Sequence, residues 1–178
     1  MGQTIVEKIL SRTSRRKVRP GETIFAEPDL IVMYGWPGIS DKLFTIVEEE
    51  LNIKRLATAE KIVMFIDHMV PPSSIKDAEF LKCTRRYAKQ YGIQLIEMEG
   101  IGHHVIIETG IVKPGMFTVH FDTHIPTIGV IGAFGLPLAL DVLEALVSGE
   151  IWLEVPHSTR FLLNGKLPRG VMGRDLIH

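Results

Sequence analysis

Apolar residues in this chain fall in continuous runs rather than in strict alternation. Leu30-Ile31-Val32-Met33-Tyr34 and Lys61-Ile62-Val63-Met64-Phe65-Ile66 are such runs, and Gln94–Met98 and Met116–Phe121 are shorter ones. Short apolar runs bounded by turn residues read as strands buried on both faces. A further extended segment is expected at Val105–Glu108. Between the runs the apolar period changes to that of helices. Ile5, Val6, Ile9 and Leu10 share one face of a helix over Thr4–Arg12, with Thr4 and Glu7 spaced as a capping box. Helices are also predicted over Ser40–Leu51, from Ile75 to Tyr91 after Pro71-Pro72-Ser73-Ser74, and from Gly135 to Val147. Pro20-Gly21-Glu22 and Gly35-Trp36-Pro37-Gly38 interrupt the pattern. Beyond them, Ile151–Val155 reads as a strand and Thr159–Gly165 as a hairpin, giving a β-rich C-terminal tail. Strands alternating with helices predict an α/β fold, a mostly parallel sheet covered on both faces. Ligands of such sheets bind beyond the carboxyl ends of the strands.

With 178 residues the chain fits one domain, 1–178. The formal net charge is −1, so no global field invites nucleic acid or an anionic membrane. The one basic run, Arg12 to Arg19, reads as a solvated helix end or turn. Cys83 is the only cysteine. An internal disulfide and a cysteine-ligated metal cluster are therefore both excluded, and a reducing compartment fits best. Its helical spacing with Phe80, Leu81 and Tyr87 makes it a small buried hydrophobe. The N-terminus has no signal-peptide core, and a cytoplasmic protein is expected.

Three polar clusters stand where apolar strands should end: Asp67-His68, His103-His104 after Gly100-Ile101-Gly102, and His120-Phe121-Asp122-Thr123-His124. Five of the seven histidines lie in them. A carboxylate beside an imidazole fixes its tautomer and raises its basicity, as acid–base chemistry requires. Asp67-His68 reads either as such a pair or as a loop pair capping the next helix. On extended chain His103 and His104 point to opposite sides, so one of them is expected to serve a site. His120, Asp122 and His124 would share one face of a strand; Asp122 and His124 suit catalysis or substrate binding, and all three together suit a divalent metal such as zinc, while His120 alternatively reads as a plain strand residue. Gly129, Gly132 and Gly135 either bind an anion at a helix start or allow close packing of a turn.

The clusters carry a resemblance. The segments MGQTIVEKILSR, IVMFIDHMVPPSSIKDAEF, GIGHHVIIETGIVKPGMFTV, FDTHIPTIGVIGAFG and SGEIWLEVPHSTRFLLNGKLPRGV, in this order, resemble the N-terminal part of large subunits of the aconitase superfamily. The likeness is greatest to 3-isopropylmalate dehydratase and homoaconitase. It implies a three-layer α/β/α domain and a hydro-lyase, of the kind used in leucine biosynthesis. Such an enzyme dehydrates a hydroxy di- or tricarboxylate and rehydrates the alkene with the hydroxyl moved. It implies catalytic roles for Asp67, His68, His103, Asp122 and His124, with Thr123 between the last two as a substrate contact. His104, where the family has Gln, and Gly129 and Gly132, by the anion reading above, are further candidate substrate contacts. It implies a [4Fe–4S] cluster whose three cysteines lie beyond the matched region. The chain is thus expected to be truncated relative to the family. The cluster would come from a second large-subunit half, acting with a small swivelling subunit.

The likeness is incomplete. A His-Asp-Gly substrate loop of the dehydratases is replaced by Met33-Tyr34-Gly35-Trp36-Pro37, the Ser of Asp-Ser-His is Thr123, and the Thr after that motif is Ile125. The Gly-rich turn that follows reads Leu136-Pro137-Leu138-Ala139-Leu140-Asp141. Three readings follow: a hydro-lyase component, a non-catalytic relative that binds a small carboxylate or a partner subunit, and a mononuclear metal hydrolase built on His120, Asp122 and His124.

Overall fold

Side chains of β2 (Leu30–Tyr34) alternate between the two faces of a sheet, and every one of them is buried. Ile31 and Met33 enter one apolar cluster, while Leu30, Val32 and Tyr34 enter another on the opposite face. That double burial is why the run is apolar throughout rather than alternating. The computed structural model describes residues 2–36 and 38–177; Met1, Pro37 of the predicted break and His178 lie outside the described residues.

Five parallel strands form the sheet, in the order β4-β3-β2-β5-β6, with β3 at Ile62–Ile66, β4 at Gln94–Glu97, β5 at Phe117–His120 and β6 at Phe134–Pro137. The first cluster is closed by α1 (Ile5–Thr13), α2 (Ser40–Thr45), α3 (Ile75–Tyr91) and α5 (Val142–Ser148). The second is closed by α4 (Gly102–Glu108) and a 3-10 turn over Ile125–Ile131. The chain is therefore a three-layer α/β/α structure.

Local chemistry explains several boundaries. The Thr4 hydroxyl accepts from the Glu7 amide at 3.2 Å, as the predicted cap requires, and donates to the Glu7 carboxylate at 2.8 Å, so the Glu7 side chain returns to the hydroxyl of the cap residue. Ser74 caps α3 by accepting from the Asp77 amide, and Gly92 ends it in the left-handed conformation. The basic run is paired as well as solvated: Arg12 grips Asp29 through both guanidinium nitrogens, Arg15 meets Glu27 and Arg16 meets Glu22. The helix predicted over 40–51 continues past α2 as a π-helical segment, Ile46–Glu50.

Four expectations are corrected. The β-branched run Val105–Glu108 is helical, within α4, because the fold caps that helix from outside, as described below. His103 and His104 consequently sit on a helix rather than on extended chain. The segment from Gly135 begins as strand β6, and the helix starts only at Val142. A Cβ on Gly135 would come within 2.4 Å of the Ile125 carbonyl oxygen, so this glycine serves the close approach of β6 to the 3-10 turn. The hairpin expected over Thr159–Gly165 does not form. That segment carries no strand, and Phe161, Leu162 and Leu163 are exposed without a pairing partner. Among the described residues the tail's only strand is β7 (Ile151–Glu154), which pairs antiparallel with an unpredicted β1 (Thr23–Ala26) in a separate two-stranded ribbon. A short helix, α6 (Gly173–Ile177), follows.

Candidate active site

The strand order reverses at β2. The chain runs from β2 outward to β3 and β4, then returns to β5 on the other side. Loops leaving adjacent strands diverge at such a switch and open a crevice at the carboxyl edge. A cavity of about 620 Å³ lies there, lined by Tyr34, Trp36 and Ile39 from the β2 exit, Asp67 and His68 from the β3 exit, Ile101 and His103 at the start of α4, and Phe121–His124 from the β5 exit. All five acid–base candidates, Asp67, His68, His103, Asp122 and His124, face this one space, together with Thr123.

Asp67 organises the β3 side. Its side chain is 2% exposed. One oxygen accepts from His68 Nδ1 at 2.5 Å and the other from the Gly102 amide at 2.8 Å. The carboxylate thus caps α4, whose own N-cap residue, Ile101, provides no side-chain bond. Gly102 is required for the approach: a Cβ there would stand 2.5 Å from a Tyr34 ring carbon and 2.9 Å from Phe65. The phenol oxygen of Tyr34 accepts from the next amide, that of His103, at 3.3 Å. Two side chains from neighbouring strand ends therefore satisfy the first amides of α4, which is how a segment of poor helix propensity becomes helical.

Asp122 organises the β5 side. Its Oδ1 accepts from both the amide and Nδ1 of His124, at 3.0 and 2.6 Å, and its Oδ2 lies 3.4 Å from His103 Nδ1. Burial pushes the Asp122 carboxyl up, but the bonds from His124 outweigh it and hold the group below its ordinary value. His103 is held below the ordinary histidine value by burial, against the pull of Asp122. Tyr34, buried beside two carboxylates, is held well above the ordinary tyrosine range and remains a phenol.

His120 leaves the predicted set. β5 ends at His120, so the residues after it follow a turn and do not alternate along a strand. The ring is fully buried under Tyr34, with centroids 4.4 Å apart, and its Nδ1 accepts from the Asp122 amide at 3.3 Å. Burial pushes its pKa down to about 3. His103 takes its place. One potential ligand atom from each of His103, Asp122 and His124 lies within 4.8 Å of the others. The two rings stack at 17°, however, so their in-plane lone pairs run side by side and one ring must turn to meet a common ion.

His104 is on α4 with its ring against the edge of His103 and does not line the cavity. Neither do Gly129, inside the 3-10 turn, and Gly132, which ends that turn at φ +79°. Strand β6, not the start of a helix, follows Gly129 and Gly132, and close packing accounts for Gly135. Sequence reasoning missed Tyr34, Trp36, Ile39, Ile101 and Phe121 as lining residues. Their signal was position: Tyr34 and Trp36 follow the carboxyl end of a central strand, where ligands of such sheets bind. Trp36 packs on His68 with centroids 4.2 Å apart.

A [4Fe–4S] cluster does not fit these residues. Cys83 is the only thiol in the sequence, and it lies on α3 beside Phe80 and Thr84, lining other cavities.

Comparison with known proteins gives a consistent picture. Residues 44–178 match the aconitase family (aconitate hydratase). The chain is 39% identical over 181 residues to the 3-isopropylmalate dehydratase large subunit of Aquifex aeolicus, covering 99% of this chain and 41% of that protein. It is 36% identical over 177 residues to the homoaconitase large subunit of Thermus thermophilus, covering 98% and 41%. Against 3-isopropylmalate dehydratase large subunit 1 of Pyrococcus abyssi it is 36% identical over 182 residues, covering 99% and 42%. The chain spans about two fifths of the length of these relatives.

Proposed function

The chain belongs to the aconitase family, and from there we propose that it is a component of a hydro-lyase that isomerises a hydroxy di- or tricarboxylate by dehydration and rehydration. One observation carries the reading: two carboxylate-bound imidazoles and a third imidazole converge on one cavity at the switch point of the sheet. The names of its relatives support the reaction class and a small-subunit partner. Their greater length supports a further large-subunit region, and in this reading that region supplies the [4Fe–4S] cluster. A biosynthetic enzyme of this kind belongs in the cytoplasm; among the described residues no helix is long and apolar enough to cross a membrane.

The residues of this chain have definite tasks in that reaction. A carboxylate only accepts hydrogen bonds, so His68 and His124 each commit Nδ1–H to an aspartate and turn Nε2 to the cavity. A neutral Nε2 takes a proton; once protonated, it gives one to a departing hydroxyl. Asp67 and Asp122 hold the two rings in place. Trp36, Ile39 and Phe121 keep water from one wall of the cavity. No Arg or Lys is among the lining residues. The negative charge of the substrate is therefore met by groups from the partner region, as are the cluster and the base that removes the carbon-bound proton.

The test is anaerobic purification of the tagged chain with its native partners. The expected result is a complex with iron–sulfur absorbance that hydrates an unsaturated dicarboxylate, and His124→Ala in that complex abolishes turnover. A colourless complex without turnover favours the non-catalytic carboxylate-binding reading, and retained turnover in His124→Ala removes His124 from the chemistry.

A further inference from the structure

Three imidazoles face the cavity, yet they are not held alike. His68 and His124 have Nδ1 at 2.5 and 2.6 Å from carboxylate oxygens. His103 Nδ1 stands 3.4 Å from Asp122 Oδ2, too long for a strong charge-assisted bond, and 2.9 Å from the Tyr34 phenol oxygen. That oxygen already accepts from the His103 amide. Its own proton, on a buried side chain, faces two acceptors, the Asp122 carboxylate and His103 Nδ1, and the ring nitrogen, at 2.9 Å, is the one within hydrogen-bond distance. A phenol that takes the amide bond and gives its proton to the ring of the same residue clamps His103 at two points.

We propose that Tyr34 is a positioning residue that donates to His103 Nδ1 and holds the ring as the Nε2–H tautomer. The cavity then contains two imidazoles that present bare Nε2 atoms, His68 and His124, and one that presents an N–H. His103 is the fixed donor, suited to binding a substrate hydroxyl or carboxylate oxygen, while the other two exchange protons. The catalytic meaning of this division rests on the proposed hydro-lyase reading; the tautomer itself does not.

Nitrogen-15 NMR of histidine-labelled chain at neutral pH reads the tautomer directly, in wild type and in Tyr34→Phe. The expected wild-type pattern is Nε2–H at His103 and Nδ1–H at His68 and His124. In Tyr34→Phe, His103 should switch to Nδ1–H and turn to Asp122, while His68 and His124 keep their signals and so report an intact fold. A wild-type His103 with Nδ1–H overturns the proposal without any variant. A His103 that stays Nε2–H in Tyr34→Phe also overturns it, because the packing of the ring, and not the phenol, would then set the tautomer. Neither result depends on turnover, so loss of the proposal and loss of the hydro-lyase reading are separately visible.

Discussion

The two carboxylate–imidazole pairs of the cavity look equivalent in sequence and differ in how they are built. Asp67 is 2% exposed and joins three elements: its own strand exit, the His68 ring and the start of α4. Asp122 is 16% exposed, its partner His124 is 68% exposed, and the bonds between them stay within one turn. The first pair is part of the architecture and the second is mounted on it. A residue can therefore be indispensable to a site through the fold or through the chemistry, and burial distinguishes the two.

The sharpest way to break this contrast is Asp67→Ala. It leaves the Gly102 amide and the start of α4 without an acceptor in a buried place, and is expected to lower unfolding free energy by about 3 kcal/mol. Asp122→Ala should cost about 1 kcal/mol in the same denaturant titration; equal losses would erase the distinction. Next in size is an acid effect centred on His120, the buried ring behind the second pair. The unfolded chain takes a proton at the ordinary histidine value of 6.5, whereas the folded ring waits until about 3. In that window the unfolded state binds more protons, so stability falls as pH falls. Between pH 6.5 and 5 the loss from this group is about 2 kcal/mol. His120→Gln should lack that component, and a wild-type acid limb no steeper than the variant's would show the ring to be accessible to protons. The smallest effect is His124→Ala, expected within about 0.5 kcal/mol of wild type in stability. A larger thermal shift than that would mean the second pair is structural too.

The sheet was legible because its strands are buried on both faces: Leu30–Tyr34 and Ile62–Ile66 have no polar alternation to confuse. The same holds for α1, where Thr4 and Glu7 state the cap locally. Misreadings occurred where distant residues decide the local form. Gly102–Glu108 has the β-branched content of a strand, and it is helical because Asp67 and Tyr34, distant in sequence, accept its first amide protons. Strand β1 has only four residues, and its in–out alternation of Ile24 and Ala26 against Thr23 and Phe25 becomes meaningful only beside β7. In the site, the polar clusters identified the acid–base groups because such groups cluster at strand ends. The aromatic and aliphatic walls were not legible, since Tyr34 and Ile39 look like any core residues until the strand order is known. Alternation likewise left His120 open between a site residue and a plain strand residue, because the end of β5 is set by pairing, not by composition.

The reversal of strand order has a consequence for change over time. Every residue around the cavity follows the carboxyl end of β2, β3, β4 or β5, the last two of these through Ile101 and His103 on the β4 exit and Phe121–His124 on the β5 exit, and the edge strand β6 contributes none. One edge of the sheet is thus set apart from the chemistry. Lost pairing or new docking partners along the outer edge of β6 can be tried by mutation with less effect on the site than changes elsewhere in the sheet. The four exits have no such freedom, and innovation in substrate choice must pass through their loops.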